Sequence, residues 1–296
     1  MADASGSTVP RRQLGRHLKE LREAAKLTRK GAGDLIEVSD TTMWRIETGK
    51  APIRKHDVEA LCRHYDASEE TTRALIALAS ESKAKGWWHS YGDVIPSGFD
   101  VYIGLQEAAS ELWIYQAELV PGLLQIEEYA RALVRLHNPD EDEEEIERRV
   151  TLRLERQSLL TRVSQPPPRL SVALHEAALH LPIGGASVMA RQLAHLVYVA
   201  QLPHITIKVV PFEAGLQPGV LTGPFTLLKY PVNEEGKEAE PPTVYSDGFT
   251  GSLYLDKPNE IASYERAFAG IWEAAHDDQD SVALISEIAG RHERRA

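Results

Sequence analysis

Residues 27 to 47 read LTRKGAGDLIEVSDTTMWRIE, and this stretch predicts two short helices joined by a tight turn. The helices are predicted over residues 28–36 and 41–47. Ser39 and Asp40 stand before the second helix, and both residue types accept hydrogen bonds from the unpaired N–H groups of a helix start. Six apolar side chains are spaced to pack the two helices on one core: Leu27, Leu35, Ile36, Val38, Met43 and Ile46. This arrangement is typical of a helix-turn-helix, whose second helix can lie in the major groove of DNA.

The side of the second helix that faces away from these apolar residues is predicted to read bases. It carries Asp40, Thr41, Trp44 and Arg45. Thr41 can contact a thymine methyl group or a base edge, and Asp40 can accept a hydrogen bond from cytosine N4. Trp44 can pack on a thymine methyl group or on a sugar. Arg45 can contact DNA, or it can pair with Glu47 or another acid.

Basic residues flank this face and are predicted to contact the phosphate backbone. The set comprises Arg29, Lys30, Lys50, Arg54 and Lys55. The hydroxyl groups of Ser39 and Thr42 are further candidates for phosphate contacts, since hydroxyl side chains commonly bind phosphate oxygens. For each lysine alone, a solvated surface charge is an equally good interpretation. The clustering of the five cations favours phosphate binding.

The distribution of charge supports this interpretation. The chain of 296 residues has a formal net charge of −11, which is unusual for a DNA-binding protein. However, residues 1–65 carry a net charge of +4, and residues 66–296 carry −15. The positive charge therefore lies with the predicted helix-turn-helix, as phosphate binding requires. The acidic remainder is either an ordinary solvated surface or a surface for a basic partner.

The pattern LT...(A/G)..I.VS..T..RIE.G followed by Pro resembles the XRE, or lambda-repressor-like, helix-turn-helix family. The matching residues are Leu27, Thr28, Gly33, Val38, Ser39, Thr42, Arg45, Ile46, Glu47, Gly49 and Pro52. Two positions depart from that family: Arg29 stands where Gln is frequent, and Glu37 stands in the turn where Gly is usual. Glu37 in a left-handed turn is expected to be mildly strained.

Four later segments resemble one actinobacterial architecture, in which an XRE-type domain precedes a long domain of unknown function, as in WhiJ-like regulators. The segments are GWWHSYGDVIP (86–96), ELVPGLLQIEEYARAL (118–133), LHEAALHLPIGG (174–185) and GSLYLDKPNEIASYERAF (251–268). The resemblance implies a transcriptional regulator. It also implies, as a possible partner, a small acidic or amphipathic protein encoded next to the regulator.

The chain is expected to divide into a disordered tail (1–8), a five-helix DNA-binding domain (9–82), an aromatic-rich junction (83–100) and a regulatory domain (101–296). Aromatic side chains at a junction commonly pack two domains together or bind a partner. We assign this role to Trp87, Trp88, Tyr91 and Trp113. Interdomain packing is the favoured interpretation.

The regulatory domain is predicted to be mixed, with helices first and a sheet with flanking helices second. The predicted helices cover residues 102–112, 126–136, 146–160, 187–200, 258–275 and 279–291. The predicted strands cover residues 170–174, 205–210, 225–230, 244–245 and 252–255. Residues 215–224 are expected to form a loop. The fold class is therefore α+β, with an all-α five-helix domain followed by a mixed helical and β-sheet domain.

No enzymatic constellation is apparent in the sequence. His175 and His180 resemble a zinc-binding pair, but they are five residues apart, about 140° round a helix, and cannot chelate one ion from one face. Catalytic residues, metal ligands and cofactors are therefore expected to be absent. The single cysteine, Cys62, excludes an internal disulfide and lies among core positions. No apolar run reaches the roughly 18 residues that span a bilayer, so a cytoplasmic protein with no membrane contact is expected.

Together these features predict a DNA-binding regulator with double-stranded DNA as its partner. It is expected to bind a pseudo-palindromic operator as a homodimer, with two half-sites about one helical turn apart. A small-molecule ligand or a small protein partner is expected to act through the second domain. The alternative is a protein-interaction module, such as an anti-activator or an antitoxin-like protein, whose helix-turn-helix docks another protein. An enzyme guided to DNA is a further alternative, which the absence of a paired catalytic constellation disfavours.

Overall fold

The structure is a computed structural model, and it describes residues 9–81, 91, 95, 99–163, 165–232, 240–248 and 251–296. The chain divides into two compact units, residues 1–92 with 96–108 and residues 93–95 with 109–296. The predicted tail and the junction residues Trp87 and Trp88 lie outside the described residues. Within the described ranges, no helix combines the length and the apolar character that a bilayer crossing requires.

The first unit is helical. Its helices are α1 (Val9–Ala24), α2 (Arg29–Leu35), α3 (Asp40–Glu47), α4 (Lys55–His64), α5 (Glu69–Glu81) and α6 (Phe99–Ala108). The first five confirm the predicted five-helix domain. The sixth also belongs to this unit and packs against α1. Thr28 caps α2 by accepting from the Gly31 N–H, and Ser39 caps α3 by accepting from the Thr42 N–H.

Three of the helices end with a residue in the left-handed conformation. Lys26, Glu37 and Asp66 have φ angles of 58°, 56° and 56° and follow α1, α2 and α4. In each case the next residue donates back to the last turn, as Val38 N–H does to the Gly33 carbonyl at 2.9 Å. This pairing satisfies a carbonyl that the helix leaves unpaired. Glu37 therefore adopts the left-handed conformation, although it stands where the XRE family usually has Gly.

The core of the first unit is built from all five of the predicted helices. Leu14 and Leu18 of α1, Met43 of α3 and Leu61 of α4 are almost completely buried in it. Cys62 lies in the same core, and burial raises the pKa of its thiol. The thiol is therefore a packing group, as expected from its position among apolar residues.

Gly15 allows α1 to lie directly on the carboxyl end of α3. A Cβ atom at Gly15 would lie 2.8 Å from the Glu47 carbonyl oxygen, and closer still to that of Ile46. Backbone atoms cannot move away as a flexible side chain can. Only glycine therefore fits this position while α1 and α3 keep their present separation.

The second unit is organised around one six-stranded sheet in the order β3-β2-β1-β4-β5-β6. The strands are β1 (Glu111–Gln116), β2 (Arg169–His175), β3 (Ile205–Val210), β4 (Phe225–Lys229), β5 (Thr243–Gly248) and β6 (Gly251–Leu255). Strands β1, β2 and β3 run parallel, with Ile114 opposite Val172 and Val172 opposite Ile207. Strands β4, β5 and β6 continue the sheet in antiparallel register from β1.

Helices surround this sheet and complete the core. They are α7 (Glu127–His137), α8 (Glu143–Glu155), α9 (Ala177–His180), α10 (Ala186–Val199), α11 (Gly219–Thr222), α12 (Pro258–Ala274) and α13 (Asp278–Glu293). Helix α12 packs Phe268 and Ile271 against Phe225 and Leu227 of β4. Helix α13 packs against α10 and β3. The α+β fold class is confirmed.

Three elements predicted for the regulatory domain were wrong in detail. The helix predicted over 102–112 ends at Ala108, and Glu111 begins β1, because aromatic and β-branched side chains from Trp113 to Tyr115 pair on both edges with β2 and β4. The helix predicted over 146–160 is α-helical to Glu155 and then tightens into a 3-10 turn. The loop predicted over 215–224 contains α11.

Replacement of Gly15 by Ala is predicted to destabilise the first unit by about 2 kcal/mol, the cost typical of overpacking a tight contact. The expected readout is faster hydrogen exchange of α1 and α3 amides in the full chain. Gly31→Ala is the matched control, since its methyl group would meet only the Thr28 hydroxyl, at 3.2 Å. Equal protection in the two variants would contradict a backbone contact at Gly15.

Candidate nucleic-acid interface

Helix α3 is held by one face and exposes the other. Met43, Ile46 and Glu47 are buried, whereas Thr41 and Trp44 are exposed. Ser39 and Thr42, both predicted to bind phosphate, also bond to each other through their hydroxyls at 2.9 Å. The amino end of α3 is therefore capped from within the chain, and its exposed side carries the residues predicted to read bases.

The carboxyl end of α3 is fixed by a buried ion pair. Arg22 of α1 donates from Nε and Nη2 to the two carboxylate oxygens of Glu47, at 2.5 and 3.1 Å. These side chains are 10% and 4% exposed. Arg22 also donates from Nη1 to the Leu27 carbonyl at 2.8 Å, in the connection between α1 and α2. The hydrogen bonds to Glu47 raise the pKa of Arg22, so the guanidinium stays charged and ties three segments together.

The Arg22–Glu47 pair excludes one of the roles that the sequence left open for Arg45. Glu47 was a possible partner for Arg45, but its carboxylate is bound by Arg22 instead. The Arg45 side chain is exposed, and within the described residues it forms no hydrogen bond or ion pair. Arg45 is thus placed on the exposed side of α3 and is available to a ligand.

Asp40, at the start of α3, is bound by Arg29, at the start of α2. Arg29 donates from Nε to Asp40 Oδ1 at 2.9 Å and from Nη2 to Asp40 Oδ2 at 2.7 Å. The hydrogen bonds from Arg29 lower the pKa of the Asp40 carboxyl. The sequence placed Asp40 on an open face and gave Arg29 a separate role at phosphate. The expectation that Asp40 is unpaired was wrong, because a residue eleven positions earlier reaches it across the turn.

Trp44 is the most prominent apolar group on the exposed side of α3. Its side chain is 39% exposed, and the Lys50 ammonium lies 4.6 Å from the centre of its ring. A cation over an indole face is attracted by the ring electrons. Lys50 was predicted to bind phosphate, and this contact keeps its charge beside α3. Lys30, Arg54 and Lys55 are likewise exposed around the helix-turn-helix.

Two features that the sequence analysis considered lie in the second unit: the pair His175 and His180, and Trp113. His180 faces Glu176 at 3.2 Å, and the second oxygen of Glu176 accepts from the Phe212 N–H at 2.9 Å. Over the described residues, no group of three or more His, Cys, Asp or Glu side chains could hold a metal ion. Trp113 stacks on Phe268 at 5.2 Å inside the second unit, beneath the Lys229 ammonium at 3.8 Å.

The four aromatic residues assigned to the junction therefore fall into three groups. Trp113 lies on the face of β1 that packs against α12. Tyr91 is partly buried. Trp87 and Trp88 lie outside the described residues. The sequence analysis did not identify Arg22 as the partner of Glu47, because the two residues are 25 positions apart and no local pattern links them.

Two families of known proteins match separate parts of the chain. A family described as a helix-turn-helix domain matches residues 13–75. A family described as a domain of unknown function, DUF5753, matches residues 99–287, which is more than half of the chain. Neither a curated protein nor a solved structure matches it.

Replacement of Glu47 by Gln is predicted to destabilise the first unit by about 3–5 kcal/mol, because it leaves the Arg22 charge buried without its counter-ion. Urea unfolding of the full chain, followed by circular dichroism, measures this loss. Glu59→Gln is the matched control, since Glu59 is an exposed residue of α4. A stability loss equal to that of the control would show that the buried pair does not anchor α3.

Proposed function

The chain belongs to the family defined by the domain of unknown function DUF5753, and because a helix-turn-helix domain precedes that domain, we propose that it is a sequence-specific transcriptional regulator. Helix α3 would be the recognition helix in the major groove. The observation that carries the proposal is the exposed row Thr41, Trp44 and Arg45, presented by a helix whose other face and both ends are fixed. A rigid helix with exposed polar and aromatic groups can read base edges.

The charges around α3 support DNA as the ligand. Lys30, Lys50, Arg54 and Lys55 are exposed, and they would contact phosphates beside the groove. The net charge of +4 over residues 1–65 gives the first unit the sign that DNA requires, although the whole chain is acidic. Phosphate contacts of this kind supply affinity and position, whereas base contacts supply the choice of sequence.

A homodimer on a pseudo-palindromic operator is part of the proposal. One recognition helix with three or four base-reading side chains gives limited discrimination, since each base pair contributes about 1–3 kcal/mol. Two copies on half-sites about one helical turn apart would double the readout. The resemblance to XRE-type actinobacterial regulators, including the WhiJ-like group, supports the same arrangement.

The second unit would receive the signal, either a small-molecule ligand or a small protein partner. Support comes from apolar side chains that follow β3 and lie exposed within ten residues of chain: Phe212, Leu216, Val220 and Leu221. Exposed apolar groups in one segment are typical of an interaction surface. In this proposal the chain regulates and does not catalyse, and it acts in the cytoplasm.

A second candidate function is docking of another protein by the helix-turn-helix. The exposure of Trp44 favours it, because tryptophan is enriched at the centres of protein interfaces. The two functions differ in their response to salt. Binding to DNA weakens steeply with salt, with a slope of about −0.9 for each phosphate contact in a log–log plot.

Recovery of genomic DNA fragments by the purified full chain tests the proposed function. Wild type is expected to enrich one shared sequence motif, and Arg45→Ala is expected to lose it, with a cost of about 1–3 kcal/mol on the recovered site. Arg73→Ala is the matched control, because Arg73 is exposed on α5, which packs against α1 and α4. If wild type enriched no motif, the result would favour docking of another protein over sequence-specific DNA binding.

The dimer has its own test. Sedimentation equilibrium is expected to give twice the chain mass of 32.9 kDa, and footprinting on the recovered site is expected to protect two half-sites about one helical turn apart. A protein of single-chain mass that protects one half-site would contradict the homodimer and leave DNA binding intact.

A further inference from the structure

The Arg29–Asp40 pair has a geometry that determines which edge of the guanidinium remains available. Asp40 accepts from Nε and from Nη2, so it occupies the side edge of the guanidinium. Arginine has five N–H groups: one on Nε and two on each terminal nitrogen. Two are used here. The end edge, formed by one N–H of Nη1 and the second N–H of Nη2, has no partner among the described residues.

The end edge of an arginine matches one base in the major groove. Guanine presents two acceptors there, O6 and N7, and a bidentate arginine is the commonest specific contact to them. The two donors must come from different terminal nitrogens, and the Asp40 contact leaves one N–H available on each. A carboxylate on the side edge therefore leaves the guanine-binding edge unobstructed.

The end edge of Arg29 lies beside the exposed residues of α3 that are proposed to read bases. Arg29, Asp40, Thr41 and Trp44 line one shallow depression at the start of α3. The side chains of Arg29 and Asp40 are 40% and 45% exposed, so the pair is accessible to a ligand. Exposed ion pairs contribute little to stability. The double hydrogen bond instead restricts the rotamers of a long side chain that would otherwise be mobile.

The charge of the pair also argues against separate roles for its members. An unpaired Asp40 carboxylate in the major groove would be repelled by the phosphates on both sides. Bound to Arg29, it belongs to a neutral unit, which is better suited to a base edge than to a phosphate. Lys30 is the next residue along the chain, and it is exposed.

We infer that Arg29 reads a guanine through its end edge and that Asp40 is the positioning residue that holds the guanidinium in the plane of the base. The inference rests on the proposed function and makes it more specific. It replaces the two separate roles expected from the sequence, a phosphate contact for Arg29 and a cytosine contact for Asp40. Each half-site then contains one G·C pair whose recognition depends on both residues.

Selection of DNA from a random library by the full chain tests this inference. Arg29→Lys keeps the charge but removes the planar fork, and Asp40→Asn keeps the size but replaces one acceptor with a donor. Both variants are expected to lose the guanine preference at the same position of the half-site, by about 5- to 150-fold. Lys30→Gln is the control, and it is expected to weaken binding to all sequences equally.

A base analogue tests the contact itself. Replacing that guanine by 7-deazaguanine removes the N7 acceptor, and wild type is expected to bind the modified site at least fivefold more weakly. Arg29→Lys is expected to bind modified and unmodified sites equally. Because the pair is exposed, the variants are expected to keep the helical circular dichroism spectrum of wild type.

Three results would overturn the inference. Uniform weakening on all sequences by Arg29→Lys would make Arg29 a phosphate contact. Loss of a cytosine preference at a different base pair by Asp40→Asn would make Asp40 a direct reader. An Asp40→Asn variant that keeps the guanine preference would remove its positioning role. In all three cases wild type still selects a motif, so the proposed function survives, whereas wild type that selects no motif would overturn both.

Discussion

The contact between α1 and the carboxyl end of α3 is the constraint on which the exposed face of α3 depends. Gly15 lets the two backbones approach until no methyl group fits between them, and the Arg22–Glu47 pair closes the same contact by two hydrogen bonds. An ion pair that is almost fully buried stabilises only when both members are present and bonded. It also specifies geometry, because a shift of α3 along α1 would separate the charges. The exposed side chains of α3 inherit their orientation from this contact.

Much of the first unit could be predicted from the sequence because its signals are local. Ser39 caps α3 from a position that a capping pattern identifies. Apolar spacing gives the buried face of α3 directly. None of these inferences required a contact between residues far apart in the chain.

The errors have the opposite origin, since they depend on contacts that are distant in sequence. Strand β1 was not predicted, and its first two residues were assigned to a helix, because its apolar residues suit either element until β2 and β4 pair with it. Asp40 was read as open, because nothing in its immediate neighbours indicates that Arg29 reaches it. Arg22 was overlooked because its partner is 25 residues away. Periodicity reports which face of a helix is apolar, but it does not report which charges meet across a turn.

The positions of the charges in the helix-turn-helix bear on how such a domain would combine affinity for DNA with selectivity among DNA sequences. The Arg29–Asp40 pair is neutral as a unit, and the Lys50 charge lies over the ring of Trp44. The face of α3 therefore offers one exposed cation from its own helix, Arg45. Electrostatic attraction to DNA would come from the residues that flank this face, whose contacts do not depend on sequence. With affinity and selectivity carried by separate side chains, a single copy would bind many sites weakly. A second copy on an adjacent half-site would raise affinity and discrimination together, so the near neutrality of the reading face is itself an argument for paired recognition helices.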